Sequence, residues 1–300
     1  MKFERILVLS DLSESSHAGL RLADSLAHRF HSRVTVANVH TAGALLSRIE
    51  AGNTTNEYRV AAWHRADSEK TLRTLAHHGI DPLRLESVEM ADSDSARVGI
   101  AELIAKVKPD LVCMATHGRT GIKHVLLGSV AEHTIRTAGV PVILTRGERE
   151  LGRDRPLRVM LALDLFNEPE PIVTQVASLL TPKDTLLLAH VVESAYLHLG
   201  AHAAEHMPDA PLLTRAAEER LSGVKVRTHG PALSVHVAAG KPGVVLIEME
   251  KALEVDLIVA HTHGRSGFDH LMLGSVAEYL ARRGISPVLV LPRIDRAVRE

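Results

Sequence analysis

HGRTGIKHVLLGSV runs from His117 to Val130, and HGRSGFDHLMLGSV runs from His263 to Val276. The glycines hold fixed places while the apolar residues between them change. Widening the comparison to Asp110–Glu132 against Asp256–Glu278 gives 14 identities in 23 positions, which chance does not produce. The echo extends outward: RILVLSD (Arg5–Asp11) answers RVMLALD (Arg158–Asp164), VTVANVH answers TLLLAHV, and VPVILTR answers SPVLVLP. A repeat of this length is a duplicated domain rather than a solenoid unit. Between the copies lies GERELGRDRP (Gly147–Pro156), charged, with two glycines and a closing proline, which reads as a surface linker. The domains are therefore expected at 1–148 and 155–300.

Each copy alternates strand-like and helix-like segments. In the first, ILVLS is a short apolar run ending at a polar turn, and Ser13–Phe30 carries Leu20, Ala23, Ala27 and Phe30 at helical spacing. VTVANV reads as a second strand, Glu57–His78 as a long helix, LRLESV as a third strand and Ala96–Lys106 as a helix. DLVCMAT follows as a fourth strand, Val130–Ala138 as a helix and PVILT as a fifth strand. Continuous apolar strands separated by helices imply a parallel sheet covered on both faces. Right-handed crossovers make it doubly wound, with ligands expected beyond the carboxyl ends of the strands. The repeated glycine loop begins at such an end.

Composition narrows the function. The 300 residues are 45% hydrophobic, and 35 basic against 36 acidic side chains leave a formal charge of -1. No global field points to nucleic acid or an anionic membrane. Aromatics at 3% argue against the stacking surfaces of single-strand binders. The sole cysteine, Cys113, excludes a disulfide framework and a cysteine-rich zinc site, and in the run LVCMA it reads as a buried small hydrophobe. MKFERILVLSD has too short an apolar core for a signal peptide, and nowhere do about 18 apolar residues run together. The expectation is a cytoplasmic protein.

The loop itself can do specific chemistry. Gly118 follows a strand, where a glycine permits a sharp turn or close approach of a ligand. Gly128 and Ser129 open the next helix, whose first N–H groups and positive end can hold an anion such as phosphate. A ligand-free reading competes: Ser129-x-x-Glu132 and Ser275-x-x-Glu278 have the form of capping boxes. The loop is neither a Walker A sequence nor G-x-G-x-x-G.

A strand ending in Asp near each repeat's start, N-V or H-V after the second strand, G-x9-G-S followed by V-A-E, and a terminal P-V strand together resemble the universal stress protein family. The resemblance covers nearly the whole chain and implies a tandem two-domain member. Each domain would be a five-stranded parallel sheet in the order 3-2-1-4-5 with four helices. The family pattern G-x2-G-x9-G-[ST] implies binding of ATP, alone or with magnesium. Carried over by position, it implies Asp11 and Val39 at the adenine and ribose end of the first copy, with Gly118, Gly128, Ser129 and Val130 around the phosphates. The matching positions in the second copy are Asp164, Val191, Gly264, Gly274, Ser275 and Val276. Both copies depart at the first glycine, where Ala115 and His261 stand. A methyl is a small change and an imidazole a large one, so the first site is expected to bind more tightly. A protonated His261 would argue the other way by attracting phosphate.

Arg119 and Arg265 follow the loop glycine and could neutralise phosphate charge; an exposed loop arginine with no specific role is the competing reading. His117, His124, His263 and His270 are read as capping or lining the loop, ahead of any catalytic role. His198, His202 and His206 share one face if helical, the spacing of a metal site or of an accidental stripe among 19 histidines. Asp11 and Asp164 could hold a ribose or a magnesium ion, or simply form turns. Two function classes follow: a nucleotide-binding stress or signalling protein with at most slow hydrolysis, and a scaffold acting through protein contacts without nucleotide. No nucleophile–base pair is evident, so an enzyme ranks third. The implied partners are adenine nucleotide and the other copy, the two pairing as an internal pseudo-dimer through Pro141–Thr145 and Pro287–Leu291, with a homodimer left open.

Overall fold

The computed structural model describes residues 1–14, 16–41, 57–116, 127–146, 151–193, 210–226, 230–261 and 274–292, with backbone alone over 57–64. Phe3–Asp154 form one compact unit, and Arg155–Glu300 with Met1–Lys2 the other.

In the first unit the chain runs β1 (Arg5–Leu9), α1 (Ser16–Phe30), β2 (Arg33–Thr41), α2 (Glu57–Gly79), β3 (Leu85–Ser93), α3 (Ala96–Val107), β4 (Leu111–Ala115), α4 (Ser129–Thr137) and β5 (Val142–Thr145). Its strands lie in the order β3-β2-β1-β4-β5, and every pair is parallel. The second unit repeats the scheme with β6 (Arg158–Leu163), α5 (Glu170–Ala177), β7 (Thr185–Val192), α6 (Ala210–Ser222), β8 (Ala232–Ala239), α7 (Pro242–Ala252), β9 (Leu257–His261), α8 (Ser275–Arg283) and β10 (Val288–Leu291). Its order is β8-β7-β6-β9-β10, again parallel throughout. Both units thus have the expected 3-2-1-4-5 winding, whose direction reverses between β1 and β4 and between β6 and β9.

The central strands are apolar without alternation because helices cover both their faces. Leu7, Val8, Val112 and Cys113 are fully buried in the first unit, as are Val159, Met160, Leu161 and Val259 in the second. Helix α1 lays Leu20, Ala23 and Ala27 on the sheet, and Phe30 meets Phe3 edge-on with ring centroids 5.3 Å apart. The Cys113 thiol donates to the Gly19 carbonyl at 3.3 Å, and burial pushes its pKa up to about 12. It is the inert small hydrophobe its surroundings suggest.

Two elements differ from the pattern reading, and a third is held more firmly than it suggests. Helix α1 starts at Ser16 rather than Ser13, because Ser13 belongs to a turn that caps the preceding strand. Strand β3 runs to Ser93, past the apolar stretch, since its register with β2 continues to Thr41. The described part of the linker lies at the surface as expected, with residues 153–156 exposed, and is also anchored: Leu151 is 2% exposed, Arg153 bonds Asp24, and Arg155 makes two bonds to Asp256 at 2.5 and 3.0 Å. Asp24 and Asp256 are each 3% exposed, and a buried carboxylate is costly unless paired, so the linker arginines stabilise both ends of the connection. Among the described residues no helix is long and apolar enough to cross a membrane.

Candidate functional site

Asp11 and Asp164 stand immediately beyond β1 and β6, at the carboxyl side of the point where the winding reverses. Each carboxylate folds back on its own backbone. The Oδ1 of Asp11 accepts from the Ser13 N–H at 3.1 Å and the Ser13 hydroxyl at 2.5 Å, and that of Asp164 accepts from the Phe166 N–H at 3.1 Å. The residue between is left-handed in both copies, Leu12 with φ 64° and Leu165 with φ 57°. A leucine in that region is strained, and such strain persists only where the surroundings impose it.

Part of the imposition comes from β2 and β7. The Asn38 amide donates to the Ser10 carbonyl at 2.7 Å, and in the second copy His190 Nδ1 donates to the Leu163 carbonyl at 2.8 Å. Two different side chains at one repeat position therefore hold the same strand-end carbonyl. The neighbouring Val39 directs its side chain away, toward the first turn of α3, where a Cβ on Gly99 would lie 2.4 Å from it. Val191 is buried at the corresponding place.

Ala115 ends β4, and beyond it the Thr116 carbonyl accepts the Gly128 N–H at 3.2 Å. This contact sets the start of α4 beside the end of β4. Gly128 is the N-cap, at φ -58° and ψ 138°, and Gly274 is the N-cap of α8 at φ -58° and ψ 136°. Ser129 and Ser275 are thus already the first helical residues, followed by the half-buried Val130 and Val276. The capping-box reading is corrected here. The Gly128 and Gly274 carbonyls accept the Glu132 and Glu278 N–H groups at 3.0 and 2.9 Å, which places the cap one residue earlier, on a residue without a side chain. The helix starts consequently present N–H groups to the crevice with no capping hydroxyl of their own.

Gly118, Arg119, Gly264 and Arg265, with His117, His124, His263 and His270, lie outside the described residues, as do His198, His202 and His206. Among the described residues no group of three or more metal-ligating side chains forms.

The copies part at Ala115 and His261. His261 ends β9 opposite Leu291. Burial lowers its pKa, and the nearby Asp164 carboxylate offsets part of that effect. In the free protein the imidazole is therefore disposed to be neutral at pH 7. Burial lowers the His236 pKa too, helped by Arg158. The consequence for stability has a definite sign. Above the ordinary histidine value of about 6.5, both folded and unfolded chains are neutral at these positions and stability is full. As pH falls below that value the unfolded chain binds protons first, so stability is lost. Chemical denaturation between pH 7.5 and 5.5 is expected to show a decline that is shallower in His261→Ala, and an equal decline would contradict the assignment.

The described geometry is a strand-end carboxylate and a glycine-capped helix start following neighbouring strands at the point where the winding reverses, twice over. A family model described as the universal stress protein family matches residues 2–146 and again residues 157–292. The chain belongs to the universal stress protein family. A universal stress protein of Mycolicibacterium smegmatis is 27% identical over 196 residues, which is 62% of this chain and 63% of that protein. One from Mycobacterium bovis is 26% identical over 193 residues, 60% of this chain and 61% of the other. The chain thus spans a little over three-fifths of the length of these relatives. Among solved structures, a universal stress protein from Archaeoglobus fulgidus superposes with a TM-score of 0.65 at 19% identity, covering 99% of this chain and 98% of that one. A second from Pseudomonas aeruginosa gives 0.58 at 18% identity, covering 97% and 93%. At these identities the structural likeness speaks for the universal stress protein fold, which both units share.

Proposed function

We propose that this universal stress protein binds adenine nucleotide, ATP above all, through its G-x9-G-S loops and acts in stress response or signalling with at most slow hydrolysis. The observation that carries the reading is the glycine cap. An ordinary φ at Gly128 means the glycine is not needed for its backbone torsion, yet a Cβ there would meet the Thr116 carbonyl at 3.2 Å. What the glycine supplies is clear space at a helix start, where N–H groups and the helix dipole favour phosphate. Asp11 and Asp164 then face the ribose, and Val39 and Val191 lie at the base end. Gly118, Arg119, Gly264 and Arg265 complete the phosphate loops, and magnesium, where present, would accompany the phosphates. The duplication supports an internal pseudo-dimer of the two domains as part of the same reading.

The test is to purify the protein under native conditions, denature it, and identify what is released, alongside calorimetric titration with ATP. Released adenine nucleotide, or saturable ATP binding, is the expected result. A clean protein indifferent to ATP would favour a scaffold that works through protein contacts.

A further inference from the structure

The sheet of each unit has an edge formed by the strand after its second helix, β3 in the first and β8 in the second. Among the described residues β3 pairs only with β2 and β8 only with β7, so each turns a row of backbone N–H and C=O groups outward. An open edge is a template for pairing with another chain, and soluble proteins blunt it with charge, a bulge or a covering segment. Strand β3 is blunted. Glu86, Glu89 and Asp92 lie along it, Glu89 paired with Lys106 at 2.6 Å and Asp92 with Arg65 at 2.7 Å, and its register with β2 shifts between Val34 and Thr35. Strand β8 is not. Its sequence, ALSVHVAA, holds no Asp, Glu, Lys, Arg, Pro or Gly, and it pairs with β7 in unbroken register from Ala232 opposite Thr185 to Ala239 opposite Val192. It is half-buried between exposed ends, and its one printed side-chain bond is internal, Ser234 to His236 at 2.8 Å. Burial, helped by Arg158, lowers the His236 pKa, so the edge is uncharged at pH 7. Helix α6, which packs on β7 and β8, adds Leu212 and Leu213 at 62% and 40% exposed.

We propose that β8 pairs with β8 of a second copy of this chain, antiparallel about a two-fold axis, joining two chains edge to edge. Charge and closure select this occupant. Antiparallel pairing of like strands about a two-fold sets residues of one face opposite one another, and along β8 none of them carries a charge that would repel or go unanswered. Pairing of β8 with β3 of another copy would lay Glu86, Glu89 and Asp92 along an edge that has no cation. Such a contact is also heterologous and grows into open chains, whereas the two-fold arrangement uses the same strand of both copies and stops at two. The pairing does not depend on nucleotide.

Sedimentation of the full natural chain without nucleotide is expected to show a dimer. Ser234→Lys and Ser234→Glu, which each set like charges across the two-fold, are expected to sediment as monomers where the natural chain is dimeric. An equimolar mixture of the two is expected to recover the dimer, because opposite charges then meet. Glu86→Lys, on the β3 edge, is expected to leave the dimer in place. The inference is overturned by a natural chain that stays monomeric, by polymers that grow with concentration as a contact of β3 with β8 would give, by a dimer that both Ser234 variants keep, or by one that Glu86→Lys dissociates. A mixture that stays monomeric overturns it too, because the loss in the single variants then reflects damage to β8 rather than charge across the pair.

Discussion

Gly128→Val is expected to abolish ATP binding at the first copy and to leave the free protein folded. The backbone at Gly128 has φ -58° and ψ 138°, torsions that any L residue adopts, so valine introduces no torsional strain. Its Cβ meets only the Thr116 carbonyl, at 3.2 Å, a contact that requires that backbone to give by a few tenths of an ångström, so the melting temperature of the free variant is measured alongside. On the reading proposed above, the α4 N–H groups reach phosphate at this helix start, and the branched methyls of valine add bulk there. A ligand at 100 times its dissociation constant stabilises the folded state by about 2.7 kcal/mol. At roughly 2 to 4 °C per kcal/mol for a domain of this size, that is a shift of several degrees. Measured on the Gly274→Val background, which isolates the first copy, the shift should disappear in the double variant. A shift retained in full would mean that the loop opening α4 is not the site, whatever else binds nucleotide.

Much of this architecture is legible in the residues. The continuous apolar runs around Val8, Cys113, Leu161 and Val259 could only be strands covered on both faces, and the duplication doubled the evidence for each. Asp11 and Asp164 were legible as a recurring pair at strand ends, and the turns they make with Ser13 and Phe166 realise the structural one of the two roles that position offers. Other features were hidden for physical reasons. Nothing about leucine suggests a left-handed residue, so Leu12 and Leu165 are visible only once the Asp turn is in place. Asn38 and His190 perform one task with unlike side chains, so a search for identical residues passes over them. The pairing of Arg153 with Asp24 joins positions 129 residues apart, a separation at which spacing carries no information. The serine of the G-S pair was misassigned because Ser-x-x-Glu is a genuine cap signal. Only the carbonyl pairing of Gly128 with Glu132 shows that the cap lies one residue earlier.

His261→Gly is expected to tighten ATP binding at the second copy by about tenfold or more, and Ala115→His to weaken the first by a similar factor. In the first copy Ala115 lies between the Asp11 turn and the start of α4, the latter fixed by the bond from Gly128 to Thr116. The strand registers and helix caps of the second copy repeat those of the first, which puts the end of β9 at His261 beside the Asp164 turn and before the helix start at Gly274, where the proposed nucleotide would run from ribose to phosphate. In the free protein its imidazole is disposed to be neutral at pH 7 because burial outweighs the pull of Asp164, so it brings bulk and a polar group without compensating charge. Nucleotide entering there must displace the ring or leave it short of a hydrogen-bond partner, at a cost of about 1 to 3 kcal/mol, which corresponds to roughly tenfold to a hundredfold in affinity. Titrations of His261→Gly on the Gly128→Val background and of Ala115→His on the Gly274→Val background measure the two effects separately. The reciprocal design guards against a folding artefact: a histidine that merely destabilised β4 would lower the melting temperature of the free Ala115→His protein, whereas glycine in place of His261 has no route to tighter binding except through the crevice. If affinity at the second copy is unchanged or falls on removing the imidazole, the residue does not obstruct the site, and the difference between the copies must lie elsewhere.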